Sequence, residues 1–181
     1  SDITNKYTAL TGRPTLPLLS SIGYHQCRWN YNDEQDVLKV DSEMDRAHIP
    51  YDFIWLDLEY TDDKKFFTWK PDSFPHPRRM LGRLASLGRQ LAVLIDPHLK
   101  KGYGVSNFII EKGAAVKDHE GKTFIGHCWP GKSVWIDTLG TLGQNIWGSF
   151  FKKFVKGVSN LHIWNDMNEP SVFNGPETTM P

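Results

Sequence analysis

Three aspartates in this chain each close a short apolar run: Asp57 after FIWL, Asp96 after QLAVLI and Asp166 after LHIWN. Carboxylates carried to the ends of buried strands can serve as nucleophiles, as general acids or bases, or as acceptors for a polar ligand. The densest stretch is the third, LHIWNDMNEPSVFNG, with Pro170 and Gly175 breaking the backbone beyond it. Along an extended strand Trp164, Asp166 and Asn168 share one face, and Asn165, Met167 and Glu169 point the other way. Asp166 then sits beside an indole and an amide, which suits a sugar ring. Glycoside hydrolysis needs two carboxyl groups, about 5–5.5 Å apart for retention of configuration and about 6.5–9.5 Å for inversion. The face argument denies Glu169 to Asp166, so the second group should come from another strand. Seen alone, an Asp at such a place more often caps the next helix, and Asp96 could equally be a structural acceptor.

The elements that would position these groups follow one order. Residues 1–17 are a polar, irregular lead-in ending in RPTLP, and Leu18–Tyr24 reads as a first strand. Asp33–Ala47 has helical spacing, with Asp33 as N-cap and Val37, Val40 and Met44 on one side. Tyr51–Leu58 is a second strand. Pro77–Gly88 is a helix with Met80, Leu81, Leu84 and Leu87 inward and Gly88 as its stop. Gln90–Ile95 is a third strand and Val105–Lys112 a short helix. Ala114–Cys128 has a hairpin pattern around HEGK, leading to the rigid corner Trp129-Pro130-Gly131. Leu142–Phe154 is a helix before the strand at Leu161. This is an α/β chain of repeating βα units on a parallel sheet. No glycine-rich phosphate loop follows any strand, against a dinucleotide fold. Aspartates at successive strand ends favour a (β/α)8 barrel. Four strands in 181 residues are about half of one, since a full barrel takes about 250 residues. The expectation is the first half of a TIM barrel, about four βα units over 18–181, with a small inserted hairpin before the last strand. It is expected to be truncated at the C-terminus.

Composition narrows the partners. Lys plus Arg and Asp plus Glu are both 21, so no basic stripe invites nucleic acid or a membrane surface. No apolar run has the length of a membrane span. Aromatics reach 13%, with seven Trp, more than a small core needs; Trp29, Trp129 and Trp164 are expected near the aspartates on one barrel rim and suit flat ligand faces. Two rivals remain. His25, Asp57, Asp96, His98 and His127 could ligate a divalent ion, though no HxH or HExxH spacing occurs. A non-catalytic carbohydrate-binding remnant is the other. Cys27 and Cys128 are too few for a disulfide scaffold and are left open as paired or free.

The motifs GYHQCRWNY at 23–31, DVLKVDSEMDRAHIPYDFIWLDLEY at 36–60, FTWKPDSFPHP at 67–77, LIDPHLK at 94–100, CWPG at 128–131 and WNDMNEPSVFNGPE at 164–177 together resemble glycoside hydrolase family 31, from about residue 8 onward. The resemblance implies a retaining α-glucosidase with Asp166 as nucleophile. It implies that Asp57 hydrogen-bonds sugar hydroxyls and that Leu58, Trp129, Trp164 and Met167 shape the glucose pocket, with Asp96 a further pocket residue. It implies no metal or organic cofactor, and an acid/base Asp on a later strand beyond residue 181, so that this piece alone is expected to be inactive. An oligosaccharide substrate, N-glycan trimming, the endoplasmic reticulum lumen and a regulatory β-subunit as partner follow from it likewise.

Overall fold

The computed structural model describes residues 1–173. A four-stranded parallel sheet runs in the order β1-β2-β3-β7, formed by β1 (His25–Arg28), β2 (Phe53–Leu56), β3 (Gln90–Ile95) and β7 (Leu161–Asn165). Between them come α2 (Glu34–Arg46), then α3 (Pro77–Ser86), then α4 (Gly104–Glu111) and α5 (Thr141–Phe154). Strand and helix alternate as the apolar spacing predicts. Asp33 caps α2 by accepting from the Asp36 amide at 2.8 Å. Gly88 and Gly113 follow α3 and α4 with φ of 76° and 69°, backbone that favours glycine. The helices cover one sheet face: Ile54 and Leu56 of β2, Leu91 and Val93 of β3 and Leu161 of β7 pack on Val37, Met80, Leu81 and Leu84. Each such side chain, fully buried, contributes about 1.5–3 kcal/mol. After the half-buried Gln90, the run LAVLI is apolar because β3 has a strand on each side and is buried from Leu91 to Ile95.

Three local expectations are corrected. Residues 2–11 of the lead-in are helical, not irregular: α1 (Asp2–Thr11) has no internal Gly or Pro, is capped by Ser1 and ends at Gly12 with φ 97°. It buries none of its side chains. The first strand is not Leu18–Tyr24. Leu19–Ile22 make one 3-10 turn, and the strand begins at His25 in register with Phe53. Leu18, Leu19 and Ile22 stay exposed, so their apolarity does not mark a strand of this sheet. The inserted hairpin is larger and shifted. The HEGK turn forms, with the Asp118 amide donating to the Lys122 carbonyl at 2.8 Å. The strands proper, however, are β5 (Gly126–Cys128) and β6 (Gly131–Trp135), joined at the Trp129 corner, with β4 (His98–Lys100) on the far edge of β6. The two expected arms do pair, Lys117 with Thr123 and the Phe124 amide donating to the Val116 carbonyl at 2.8 Å, and Ala115 pairs in addition with Ile136, which ties the first arm to the end of β6.

Candidate active site

Parity along each strand sorts the sheet into two faces. With Ile54, Leu56, Leu91, Val93, Leu161 and Ile163 on the helix side, the other face takes Phe53, Trp55 and Asp57 from β2. It takes Ala92, Leu94 and Asp96 from β3, and His162, Trp164 and Asp166 from β7. The three aspartates therefore emerge on one face at one end of the sheet. Register brings two of them side by side: Ile95 pairs with Asn165, so Asp96 and Asp166 are the next residues of neighbouring strands. Below them the indoles of Trp55 and Trp164 meet edge to face at 5.3 Å. Ala92, paired with Trp55 on the strand between, leaves the room.

Electrostatics agrees with this grouping. Burial pushes the Asp57 carboxyl up; the Leu58 amide, donating to Oδ1 at 2.6 Å, pulls it down, and Asp166 pushes it up again. Asp96 is pushed up to about 8, by burial first and then by repulsion from Asp166, Asp57 and Glu169. Asp57 does cap the 3-10 turn Leu58–Tyr60, so the capping role and the site role coexist there. Asp166 caps nothing: among the described residues no group hydrogen-bonds its carboxylate, and the residue is half-buried. It is left facing the open side of the sheet.

The alternation that set Glu169 apart holds only to the strand end. Met167 has φ 59°, a left-handed turn, so strict two-residue parity stops there. Glu169 is exposed and accepts from Ser171 Oγ at 2.5 Å, which pulls its carboxyl down, yet its charge is felt at Asp96. Met167 packs half-buried against Cys128, Trp135 and Val172. Leu58 is buried among Phe66, Leu94 and Ile95. Trp129, 48% exposed, stands at the β5–β6 corner with its ring 4.6 Å from Phe173. Trp29 is 70% exposed, beside a 220 Å³ recess lined by Asn30, Tyr31, Asn32, Glu59 and Lys70. Gly175 lies outside the described residues.

The histidines named for a metal are not gathered. His25 uses both ring nitrogens, one on Trp55 Nε1–H at 3.0 Å and one on the Ser20 carbonyl at 3.0 Å. His98 is sealed beside Asp96 at 3.3 Å. Among the described residues no three His, Cys, Asp or Glu side chains come together as ligands. Both cysteines are free. Two site neighbours escaped sequence reasoning. Trp55 was legible from its place two residues before Asp57; nothing in the local sequence marks Phe173. A larger cleft of about 800 Å³ lies elsewhere, lined by Trp69, His76, Arg78, Phe150, Lys153 and Phe154, and holds none of the aspartates.

Residues 14–181 match the model of the glycosyl hydrolases family 31 TIM-barrel domain. The chain belongs to glycoside hydrolase family 31. Within the family it is 65% identical over 182 residues to glucosidase 2 subunit alpha of Saccharomyces cerevisiae, covering 99% of this chain and 19% of that protein. It is 48% identical to human neutral alpha-glucosidase AB, covering 99% and 20%. The catalytic subunit in the crystal structure of the ER glucosidase II heterodimer superposes with a TM-score of 0.93 at 51% identity, over 99% of this chain and 20% of that one. The chain thus spans about a fifth of the length of these relatives, and its open four-stranded sheet is the first part of a family 31 barrel.

Proposed function

We propose that these residues are the first half of the catalytic barrel of a retaining α-glucosidase, with Asp166 as nucleophile. The observation that carries the reading is Asp166 itself. It is a half-buried carboxylate on the aspartate face of the sheet, hydrogen-bonded to no described group and flanked by Trp164 and two further aspartates. Asp166 attacks the anomeric carbon and forms a glycosyl-enzyme, and an acid/base carboxyl beyond residue 181 protonates the leaving oxygen and then activates water. Asp57, already turned to the site and only partly neutralised by the Leu58 amide, accepts from sugar hydroxyls. Trp164, Met167 and Trp129 wall the ring, with Leu58 packed behind Asp57. No step of this chemistry calls on a metal or an organic cofactor.

Substrate and partner come from the relatives. Their printed names are those of α-glucosidases, and one is solved with the binding domain of a regulatory subunit. Terminal α-linked glucose on an N-glycan oligosaccharide is the substrate that fits, in the endoplasmic reticulum lumen, with a regulatory subunit as partner in the full-length protein. In the full-length protein Asp166→Asn is expected to lower kcat by at least about 10⁴-fold, in line with loss of a group that acts as part of a unit. Azide added to Asp166→Ala should restore cleavage of an activated aryl α-glucoside. Near-normal turnover by either variant would remove the assignment.

A further inference from the structure

The mechanism above leaves one buried pair unused. Asp96 and His98 are both 0% exposed, and their four side-chain polar atoms have no hydrogen-bond partner among the described residues. His98 Nε2 stands 3.3 Å from Asp96 Oδ2, close enough to bond but out of line for it. The imidazole is enclosed by Phe66, ring centroids 5.7 Å apart, and Trp135 at 6.1 Å. The neighbouring Tyr60 hydroxyl is already spent on the Leu94 carbonyl at 2.9 Å. Buried polar atoms left without partners are rare and call for a reason.

Position supplies one. Asp96 follows Ile95 as Asp166 follows Asn165, and those two residues are paired in the sheet. A sealed carboxyl therefore lies directly beside the nucleophile. Two adjacent carboxyls cannot both be charged without cost, and Asp166 must be the anion if it is to attack. We infer that Asp96 keeps a proton, with His98 as its neutral companion, and so leaves the negative charge of the pair of strand ends on Asp166. Asp96 is then a positioning residue that acts from beneath the sugar pocket and does not touch the sugar, a refinement that rests on the nucleophile reading.

The groups that face it act in one direction. Asp57 from the end of β2 and Asp166 and Glu169 from the end of β7 repel a charge on Asp96. The Cys128 thiol of β5 and the Tyr60 phenol are themselves pushed up with Asp96 among the causes, so neither offers it a counter-charge. Burial pushes Asp96 up to about 8 and His98 down to about 4, which leaves both neutral near pH 7. A neutral acid beside a neutral imidazole can be accommodated in this enclosure at far lower cost than an ion pair.

The test uses the full-length enzyme. Asp96→Ala is expected to lower kcat about a hundredfold with KM nearly unchanged, and Asp96→Asn, neutral and of the same shape, to recover most of that loss and to leave the acid limb of kcat/KM in place. If Asp96 instead worked as a charged contact to sugar hydroxyls, Asn would fail as badly as Ala and KM would rise; that result overturns the inference. Infrared titration of the wild type supplies a readout independent of variant folding. A protonated-carboxyl band that is present at neutral pH, lost as pH rises through about 8 and altered by His98→Gln supports it. No such band at neutral pH overturns it. If Asp166→Asn stays active, the nucleophile reading fails first, whatever Asp96 does.

Discussion

A carboxylate is useful to catalysis only in the protonation state its neighbours allow, and the Asp96–His98 pair shows how that can be checked through stability. Folding raises the Asp96 pKa to about 8 from its ordinary 3.8, and lowers that of His98 to about 4 from 6.5. Between about pH 4 and 6.5 the folded pair holds one proton, on Asp96, and the unfolded pair also holds one, on His98. The two states bind equally, so the pair adds no pH dependence there. From 6.5 to about 8 the folded state keeps a proton that the unfolded chain has released, so stability falls as pH rises. Thermal midpoints of the full-length protein and of Asp96→Asn/His98→Gln, measured across this range, should differ by a constant up to pH 6.5. Above that the wild type should lose ground, levelling off beyond about 8. A difference that changes only below pH 5 would mean that Asp96 is an ordinary low-pKa carboxylate.

At the scale of elements, the segment DTLGTLG before α5 is held by a contact invisible in its spacing. Asp137 Oδ1 accepts from the Leu139 amide at 3.0 Å, which turns the chain into the helix. Gly143 then lies so close to that turn that a Cβ on it would fall 1.6 Å from the Asp137 carbonyl oxygen. The obstacle is backbone, which cannot swing aside as a side chain would. Gly143→Ala should therefore destabilise the full-length protein by about 1–3 kcal/mol, the usual range for overpacking. Gly148→Ala in the same helix has open space around its Cβ and should be neutral or mildly stabilising, since Ala is the better helix former by about 1 kcal/mol. A urea-denaturation midpoint unchanged by Gly143→Ala would show that α5 can slide away from the turn.

At the scale of the molecule, the sheet is open. Among the described residues the β1 and β7 edges each have a partner on one side only, and an unpaired edge invites another strand. The aspartate face is covered only in part: Asp96 is sealed, while Trp55, Trp164 and Asp166 are half-buried. The exposed Leu18, Leu19 and Ile22, with Ile3, Tyr7 and Leu10 of α1, form further apolar surface that this half of the barrel does not use. On the proposed assignment, in which Asp166 is the nucleophile and the acid/base carboxyl comes from a later strand, the 181 residues alone are expected not to hydrolyse p-nitrophenyl α-glucoside, since retention needs both carboxyl groups. Turnover by a clean preparation, abolished by Asp166→Asn in the same piece, would show that the second group lies within it.

Much of this was legible in the chain. The βα order, Asp33 as a cap, the limits of β3 and the three strand-end aspartates all follow from local spacing, because a buried parallel strand must be apolar and a helix must show its period. The motifs at 23–31 and 164–177 carried the family. Tertiary structure decided the rest. It moved the first strand from Leu18–Tyr24 to His25–Arg28, since pairing with β2 selects a strand and apolarity alone does not. It built a three-stranded sheet where one hairpin was expected, because β4 and β6 lie far apart in sequence. It brought Glu169 within electrostatic reach of Asp96, since parity ends where Met167 turns the backbone. Above all it sealed Asp96 against His98 and beside Asp166. Sequence shows that a carboxylate stands at a strand end; only the packing around it decides whether that carboxylate keeps its proton.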